Sequence, residues 1–347
     1  MGLFNDRLKN SDNRTQVPVW FMRQAGRYHQ HYQNIKKDSD FMTMCKNPEL
    51  AKKITHGPID EFDFDAAILF SDLLFPLEHL SMGLNYLQGP PKLEFHLNSK
   101  EDLKKLKEKT PALEFYNFQK QACQLLRESL PQHKSLLGFV GAPFTLYTYA
   151  VEGSHSGNLV TAKKGLTDGL FNGFVEMLLP NLLDEMRVQA LGGADAICLF
   201  DTAAGELSLH DYKKYVIPEI KKITKTFKSE FKDKKIIYYS KHTQIPFLHA
   251  LEDENIDVLG IDWRVSLSQA LKELSSNYMI QGNIDPVALH MSWEELEVRW
   301  LDVWREVQES GVSPDRWICG LGHGVLQHTP EINVKKSVEF IHNNFTY

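Results

Sequence analysis

The sequence lacks the features that mark several classes of protein. Four cysteines are scattered without a CxxC pair, so neither a disulfide framework nor a zinc site of ordinary spacing is expected. No apolar stretch approaches the roughly 20 residues that span a bilayer, and the start, MGLFNDRLKN, has no secretion signal. Acidic residues (45) outnumber basic ones (39) and no long basic block occurs. We therefore expect a cytoplasmic protein with buried thiols and neither a nucleic-acid nor a membrane partner.

Segments that would divide the chain are missing as well. There is no low-complexity segment, no linker rich in Gly, Ser or Pro, and no short repeat among the 347 residues. With 42% hydrophobic residues the chain can form one large core. We therefore predict a single domain over residues 1–347.

What the sequence does contain is a regular alternation of short apolar runs with longer stretches of helical charge patterning. This alternation is typical of α/β proteins with a parallel sheet. No GxGxxG or P-loop follows any run, which argues against a nucleotide-binding sheet. Eight runs predict a (β/α)8 TIM-type barrel, with a doubly wound open sheet as the alternative. The runs are 19–23, 66–70, 136–140, 196–200, 235–239, 256–260, 278–282 and 316–320.

Polar residues follow these predicted strands at their carboxyl ends, where the catalytic residues of a barrel lie. We expect them to converge on one rim. Besides Pro143, which stands among them, they are Arg23, Gln24, Arg27, Ser71, Asp72, Thr145, Tyr149, Asp201, Thr202, Asp262, Asn283, Asp285 and His323.

The stretch PVWFMRQAGRYHQHY places Arg23 and Arg27 four residues apart after the first run. Each guanidinium offers a planar set of donors that matches a carboxylate or phosphate, and Gly26 lets the backbone approach a ligand closely. An anionic ligand is one interpretation. The other is that both arginines form surface ion pairs with nearby acids, namely Asp60, Glu61 or Asp63.

Four further candidates each have an ordinary structural interpretation. Asp72 or the adjacent Ser71 would suit a helix cap, and Tyr149 a core position with a bonded hydroxyl. Thr202 is uninformative alone. His323 lies between glycines in GLGHGVL, which suggests an exposed ring on a turn.

A catalytic metal is not expected. Paired spacing is missing around His242, His323 and Cys319, the residues best placed to supply ligands. His29 and His31 form the single HxH pair, but it lies in a polar stretch, for which we expect surface exposure.

The chain closely resembles the uroporphyrinogen decarboxylases of haem biosynthesis. The motifs PVWFMRQAGRY, DAAILFSDLL, GFVGAPFTLYTYAVEG, LFDTAAGELS, GIDWRV, QGNIDP and GLGHGVL occur in the family's order and spacing, over nearly the whole sequence. The resemblance implies a (β/α)8 barrel, a homodimer without metal or organic cofactor, and conversion of the four acetates of uroporphyrinogen III to the methyls of coproporphyrinogen III.

The resemblance also implies roles for individual residues. Asp72 corresponds to the essential acid beneath the macrocycle, Arg23 and Arg27 to carboxylate anchors, and Tyr149 to a partner near Asp72. Together with Asp72 and Tyr149, the implied substrate contacts are Arg23, Gln24, Ala25, Gly26, Arg27, Phe41, Thr202 and His323.

Three departures from the family pattern stand out: RYHQHY for RYLPEY, GHGVLQHTP for GHGILPGTP, and His242 where a glycine is usual. Two other functions remain open. Zinc-dependent corrinoid or thiol methyltransferases share this barrel but carry an HxC motif, and Gln244 stands where that cysteine would fall after His242. The other is a tetrapyrrole-binding protein without catalysis.

Overall fold

The computed structural model describes residues 8–9, 15–86 and 89–347. Two short strands, β1 (Leu8–Lys9) and β2 (Thr15–Gln16), form an antiparallel pair. The main sheet has seven parallel strands in chain order: β3 (Ala66–Ile68), β4 (Ser135–Gly141), β5 (Ala196–Asp201), β6 (Lys235–Ser240), β7 (Val258–Gly260), β8 (Met279–Ile284) and β9 (Trp317–Leu321). Every pair of neighbours in this sheet is parallel, as expected when helices connect successive strands.

Helices connect all successive strands of the main sheet and flank it at both ends of the chain. The α-helices are α1 (Gln30–Lys36), α2 (Phe41–Lys46), α3 (Pro48–Phe62), α4 (Phe75–His79), α5 (Ala112–Phe115), α6 (Asn117–Ser129), α7 (Pro143–Glu152), α8 (Val160–Asp168), α9 (Leu170–Leu191), α10 (Leu209–Asp211), α11 (Ile217–Glu230), α12 (Ile245–Leu251), α13 (Leu267–Leu274), α14 (Trp293–Glu309) and α15 (Glu331–Asn344). Single 3-10 turns lie at Lys100–Lys105, Ala204–Glu206, Pro286–His290 and Pro314–Arg316, and a π-helical turn at Tyr212–Val216.

Both faces of the main sheet are buried, and successive residues alternate between them. In β5, Ala196, Cys198 and Phe200 pack into an inner cluster, whereas Ile197 and Leu199 join the larger core beneath the helices. The inner cluster also contains residues of the first and last strands, Ala66 and Ile318. Because the two edges share one core, the sheet curls into a half-barrel with the helices outside.

Seven of the eight predicted strands are confirmed, and the exception is the first run, 19–23. It contributes one parallel bridge, between Val19 and Cys319. The N–H of Val19 donates to the side-chain Oδ2 of Asp65 (2.7 Å) rather than to a strand carbonyl. A ladder cannot continue where a carboxylate takes the backbone donor, so this run passes between β9 and β3 without becoming a regular strand.

Two other expectations concern the thiols and the membrane. Cys45, Cys123, Cys198 and Cys319 are all free and buried, as predicted. In the described part of the chain, no helix combines the length and the apolar character needed to cross a bilayer.

Candidate active site

The predicted site residues lie just beyond the carboxyl ends of strands, which share one edge of a parallel sheet. Asp72 lies four residues beyond β3, Tyr149 is on α7 after β4, Thr202 follows β5 directly, and His323 lies two residues beyond β9. Arg23 follows the first apolar run and has a left-handed backbone, with φ of 61°.

Asp72 lies in the loop between β3 and α4 and keeps part of its surface exposed. Its Oδ1 accepts the N–H of Leu74 (2.7 Å), and its Oδ2 accepts the hydroxyl of Tyr86 (2.5 Å). Burial raises the pKa of the Asp72 carboxyl, and the hydrogen bonds from Tyr86 and Leu74 oppose this increase. The bond to Leu74 closes a local turn and is not the helix cap considered from the sequence, because Leu74 is the N-cap of α4 and no side chain caps that helix. It leaves acceptor capacity free on both oxygens of Asp72.

Tyr86 is a site residue that sequence reasoning missed. Its ring packs against Phe41 with 4.6 Å between centroids, and Phe41 in turn contacts Phe70 at 5.9 Å. Burial, followed by the charge of Asp72, raises the pKa of the Tyr86 phenol, so the hydroxyl stays protonated and donates its hydrogen bond to Asp72. Phe41 thus lies beside Asp72 through Tyr86, as expected for an apolar wall of the site.

A buried chain of side chains supports the Asp72 loop from behind. Gln119 donates from Nε2 to Ser71 Oγ (3.0 Å) and to Glu185 Oε1 (2.8 Å). Glu185 is only 1% exposed, and burial raises the pKa of its carboxyl well above the ordinary range. Glu185 therefore holds Gln119, which fixes the residue next to Asp72.

Arg23 and Arg27 are both exposed, and in the described residues neither guanidinium has a protein partner. The surface ion pairs considered from sequence are not formed. The acids near them pair with other groups: Asp60 with His56, Glu61 with His29, and Asp63 with Lys134. Both arginines are therefore free to bind an anion.

The two arginines act on different neighbours. Burial raises the pKa of Tyr149 to about 12, and the charge of Arg23 opposes this increase. The same charge lowers the pKa of His323. Burial raises the pKa of Tyr32, and the charge of Arg27 opposes that increase. Gly324 is needed beside Arg23, because a Cβ there would lie 2.5 Å from Arg23 Cδ. Arg23 thus lies with Tyr149 and His323, whereas Arg27 lies towards α1.

His323 is a neutral hydrogen-bond donor at this rim. Burial first, then the charges of Arg23 and Lys241, lower its pKa to about 3. Its Nδ1 accepts the N–H of Gly324 (2.6 Å), so the proton of the neutral ring is on Nε2. The predicted exposed turn is thus half-buried, and the centroid of the His323 ring lies 6.2 Å from that of Tyr239 in an edge-to-face arrangement.

Three further polar side chains lie near this rim: Thr202 and His155, each with a buried atom that lacks a hydrogen-bond partner among the described residues, and the positively charged Lys241. The buried Oγ1 of Thr202 has no hydrogen-bond partner among the described residues, and neither has Nδ1 of His155. Burial and the charge of Lys241 lower the pKa of His155, whose ring lies 5.5 Å from that of Tyr149. Sequence reasoning identified Thr202 but not His155 or Lys241, because neither residue stands in a distinctive pattern.

The residues between the two arginines position the loop. Gln24 is 1% exposed, and its side chain accepts the N–H of Phe21 (3.3 Å) and donates to the carbonyl of Ala66 (2.9 Å). Ala25 packs on a small cluster around Tyr32, and the carbonyl of Gly26 accepts the N–H of His29. The side-chain amide of Gln24 is therefore already hydrogen-bonded to backbone groups.

Several residues expected on the open rim are instead buried within the protein. Asp201 is fully buried and accepts from Thr145 and Tyr238, both at 2.9 Å. Asp262 accepts from Arg264 (2.8 Å) and from the N–H of His242 (3.0 Å). Asn283 is also buried, with its amide on backbone carbonyls. Strand-end position alone could not separate these groups from cleft residues.

The zinc-ligand candidates do not come together. Among the described residues, a set of three potential ligand side chains occurs once, and it consists of His29, Glu61 and Glu331 rather than His242, His323 and Cys319. The expectation that the HxH pair is on the surface is wrong for His29, which is fully buried because its ring packs against Phe62.

Comparison with known proteins places these residues in a family context. The family model described as "Uroporphyrinogen decarboxylase (URO-D)" matches residues 7–344. Proteins named uroporphyrinogen decarboxylase match along almost the full length. That of Thermodesulfovibrio yellowstonii is 36% identical over 331 residues, with 94% of this chain and 93% of the relative covered. That of Geobacter sulfurreducens is 35% identical over 328 residues, with 94% of each covered.

Solved structures give a consistent fold. A methyltransferase from Methanosarcina mazei has a TM-score of 0.75 at 17% identity, covering 94% of each chain. A B12-independent methionine synthase from Shewanella has a TM-score of 0.52 at 12% identity, covering 94% of this chain and 93% of the other. These likenesses concern the fold alone. The match of the family model and of its full-length relatives shows that this chain belongs to the uroporphyrinogen decarboxylase family.

Proposed function

We propose that this protein decarboxylates the four acetate side chains of uroporphyrinogen III to methyl groups, giving coproporphyrinogen III. Family membership supports the reaction. The observation that carries the site is the carboxylate of Asp72, which is held by Tyr86 and Leu74 and keeps free acceptor capacity. Around it lie cationic and neutral donors suited to a polycarboxylate.

Recognition depends on local positive charge, because a chain of formal charge −6 must bind a substrate with eight carboxylates. Arg23, Arg27 and Lys241 supply that charge. An arginine about 4 Å from a carboxylate gains on the order of 4 kcal/mol at an effective dielectric near 20, before desolvation is subtracted. The Nε2–H of His323 and the unpaired hydroxyl of Thr202 add neutral contacts to peripheral carboxylates.

The chemistry uses the pyrrole ring as the electron sink, so the proposed reaction needs no cofactor. A proton adds to the ring carbon beside the one that bears the acetate, which leaves a cationic iminium. The C–C bond to the carboxylate then breaks, CO2 leaves, and the electron pair neutralises the iminium. Protonation of the exocyclic carbon and loss of the ring proton complete the methyl group.

Asp72 binds the pyrrole N–H groups and stabilises the cation. Charge-assisted hydrogen bonds contribute about 1.5 to 3 kcal/mol each, so several on one carboxylate would dominate orientation. Tyr149 lies within the influence of both Asp72 and Arg23, and these side chains would orient the reacting ring. An arginine is unsuited to donate the proton, because its pKa exceeds about 12.

The proposed assembly is a homodimer in the cytoplasm, each chain being one (β/α)8 domain. The main support for the barrel is the run after β2: the N–H of Trp20 donates to the carbonyl of Cys319, and the carbonyl of Val19 accepts from Asp65. This run would thus complete the barrel between β9 and β3. Analytical ultracentrifugation tests the dimer, and a monomer at micromolar concentration would overturn it.

Anaerobic incubation with chemically reduced uroporphyrin III tests the function. After oxidation, chromatography should reveal porphyrins with seven, six, five and then four carboxyl groups. Unchanged substrate beside an active control enzyme would contradict the proposal. Porphyrinogen binding without product would indicate a binding protein, and methyl transfer from a methylated corrinoid to a thiol would indicate a methyltransferase.

A further inference from the structure

We propose that His29, Glu61 and Glu331 bind one divalent transition-metal ion. One ligand atom from each residue lies within 4.8 Å of the other two. None of these residues belongs to the set proposed to contact the substrate. The site is therefore a structural one, separate from the chemistry at Asp72.

Three separate parts of the chain supply the ligands. His29 directly precedes α1, Glu61 is the penultimate residue of α3, and Glu331 is the first residue of α15. The N–H of Gln30 donates to Oε1 of Glu331 and draws that carboxylate towards His29. Residues so far apart in sequence converge here because the start of α1 packs between the other two helices.

His29 gives the cluster a rigid centre. Its side chain is completely buried, with the ring 4.9 Å from the Phe62 ring. Its Nε2 lies 2.9 Å from Oε2 of Glu61, and its Nδ1 is buried without a hydrogen-bond partner among the described residues. A buried imidazole that faces two carboxylates is a suitable nitrogen ligand, since it is already desolvated and fixed in orientation.

The charges also match a dication. In the described part of the chain, Glu61 forms ion pairs with His29 and His31 alone, and no lysine or arginine pairs with Glu331. Two carboxylates and an imidazole suit Zn²⁺ or Co²⁺, whose ligand atoms lie at about 2.0 to 2.2 Å from the ion.

His31 lies at the edge of this cluster, beside Glu61. Its Nε2 lies 2.9 Å from the carbonyl of Lys53, and only an N–H can bond there, so the lone pair of the neutral ring is on Nδ1. That Nδ1 lies 3.9 Å from Oε1 of Glu61. A ligating histidine ordinarily donates its second nitrogen to a carbonyl in this way. The side chain of Glu61 is 45% exposed, which leaves solvent a path to the site.

Titration of chelator-treated, tag-free protein with Zn²⁺ against a chromophoric chelator tests this site. We expect one ion per chain, an increase of the melting temperature on binding, and visible absorption bands when Co²⁺ replaces Zn²⁺. The variants Glu61→Gln and Glu331→Gln should each weaken binding about tenfold or more. Both replace partly exposed side chains with isosteres, so the fold should persist, which circular dichroism checks.

The matched control is Glu294→Gln, which removes an acid from the first turn of α14 as Glu331→Gln does from α15. It should bind Zn²⁺ like the wild type. The four buried thiols should not compete for the ion. No binding by the wild type, or equal binding by wild type and both site variants, would overturn the proposal and leave an ion-pair cluster.

Discussion

The hydroxyl of Tyr86 donates a hydrogen bond of 2.5 Å to Oδ2 of Asp72. This bond lowers the pKa of a carboxyl that burial otherwise raises. It therefore helps to keep Asp72 ionised, which is the state that can bind pyrrole N–H groups and stabilise a cation.

Tyr86→Phe should shift the acid limb of the kcat/KM profile upwards. Without the hydroxyl, the ionised form of Asp72 loses a stabilising donor, so its pKa rises and activity at low pH falls. A charge-assisted hydrogen bond of about 1.5 kcal/mol corresponds to a shift of about one pH unit. Tyr116→Phe removes a comparable bond, to Asn181, and should leave the profile in place. An unchanged acid limb in Tyr86→Phe would contradict the role of this bond.

Asp72→Asn should abolish turnover while the protein remains folded. An amide offers one acceptor oxygen, presents two donors to the pyrrole donors, and carries no charge. We expect a decrease in kcat of at least about a hundredfold, with an unchanged melting temperature to within a few degrees. Near-normal turnover would show that Asp72 is not the group that stabilises the cation.

Arg27→Ala should raise KM for uroporphyrinogen and reduce turnover. The guanidinium is exposed and has no protein partner among the described residues, so the variant loses a substrate contact and little stability. A loss of about 1.5 kcal/mol corresponds to roughly a tenfold change in kcat/KM. Arg299→Ala, an exposed arginine on α14, is the control. Identical kinetics of the two variants would remove Arg27 from the set of substrate anchors.

His323 should not titrate between pH 5 and pH 8, because its pKa is lowered to about 3. The unfolded chain binds a proton at this residue below about pH 6.5 and the folded chain does not, so its contribution to stability falls as pH decreases from 6.5 towards 3. The ring proton shifts in NMR spectra test this directly. A titration midpoint near 6.5 would mean that His323 is hydrated and not the neutral donor described above.

Asp201 should have the opposite effect on stability. Its pKa is raised to about 6 by burial, so the folded chain binds more protons than the unfolded chain between about pH 4 and pH 6. The free energy of unfolding therefore decreases as pH rises through this window, by on the order of 3 kcal/mol from this group. Asp201→Asn should lose this dependence. If the free energy of unfolding changes equally between pH 4 and pH 7 in the variant and the wild type, this prediction is contradicted.

Much of the fold follows from local patterns, because a parallel strand buried on both faces is a short apolar run. This holds for Ala196–Asp201 and its neighbours. The prediction of a strand over residues 19–23 is wrong because the N–H of Val19 donates to the carboxylate of Asp65 and not to a neighbouring strand. That contact joins residues 46 positions apart, and no local pattern carries it.

The site could be predicted in part. Asp72 and His323 stand in distinctive motifs after strands, whereas Tyr86 lies in a loop without a pattern. Strand-end position also selected Asp201, which the fold buries against Tyr238. Whether a polar side chain faces the cleft or the core depends on tertiary packing that the sequence does not display.

The central claim is that the carboxylate of Asp72 drives loss of CO2 from the acetates. Uroporphyrinogen III labelled with ¹⁴C in its acetate carboxyls, incubated anaerobically with excess enzyme, measures this directly. We expect four labelled CO2 per macrocycle from the wild type and none from folded Asp72→Asn. Release from the variant at the wild-type rate, or no release from the wild type, would contradict it.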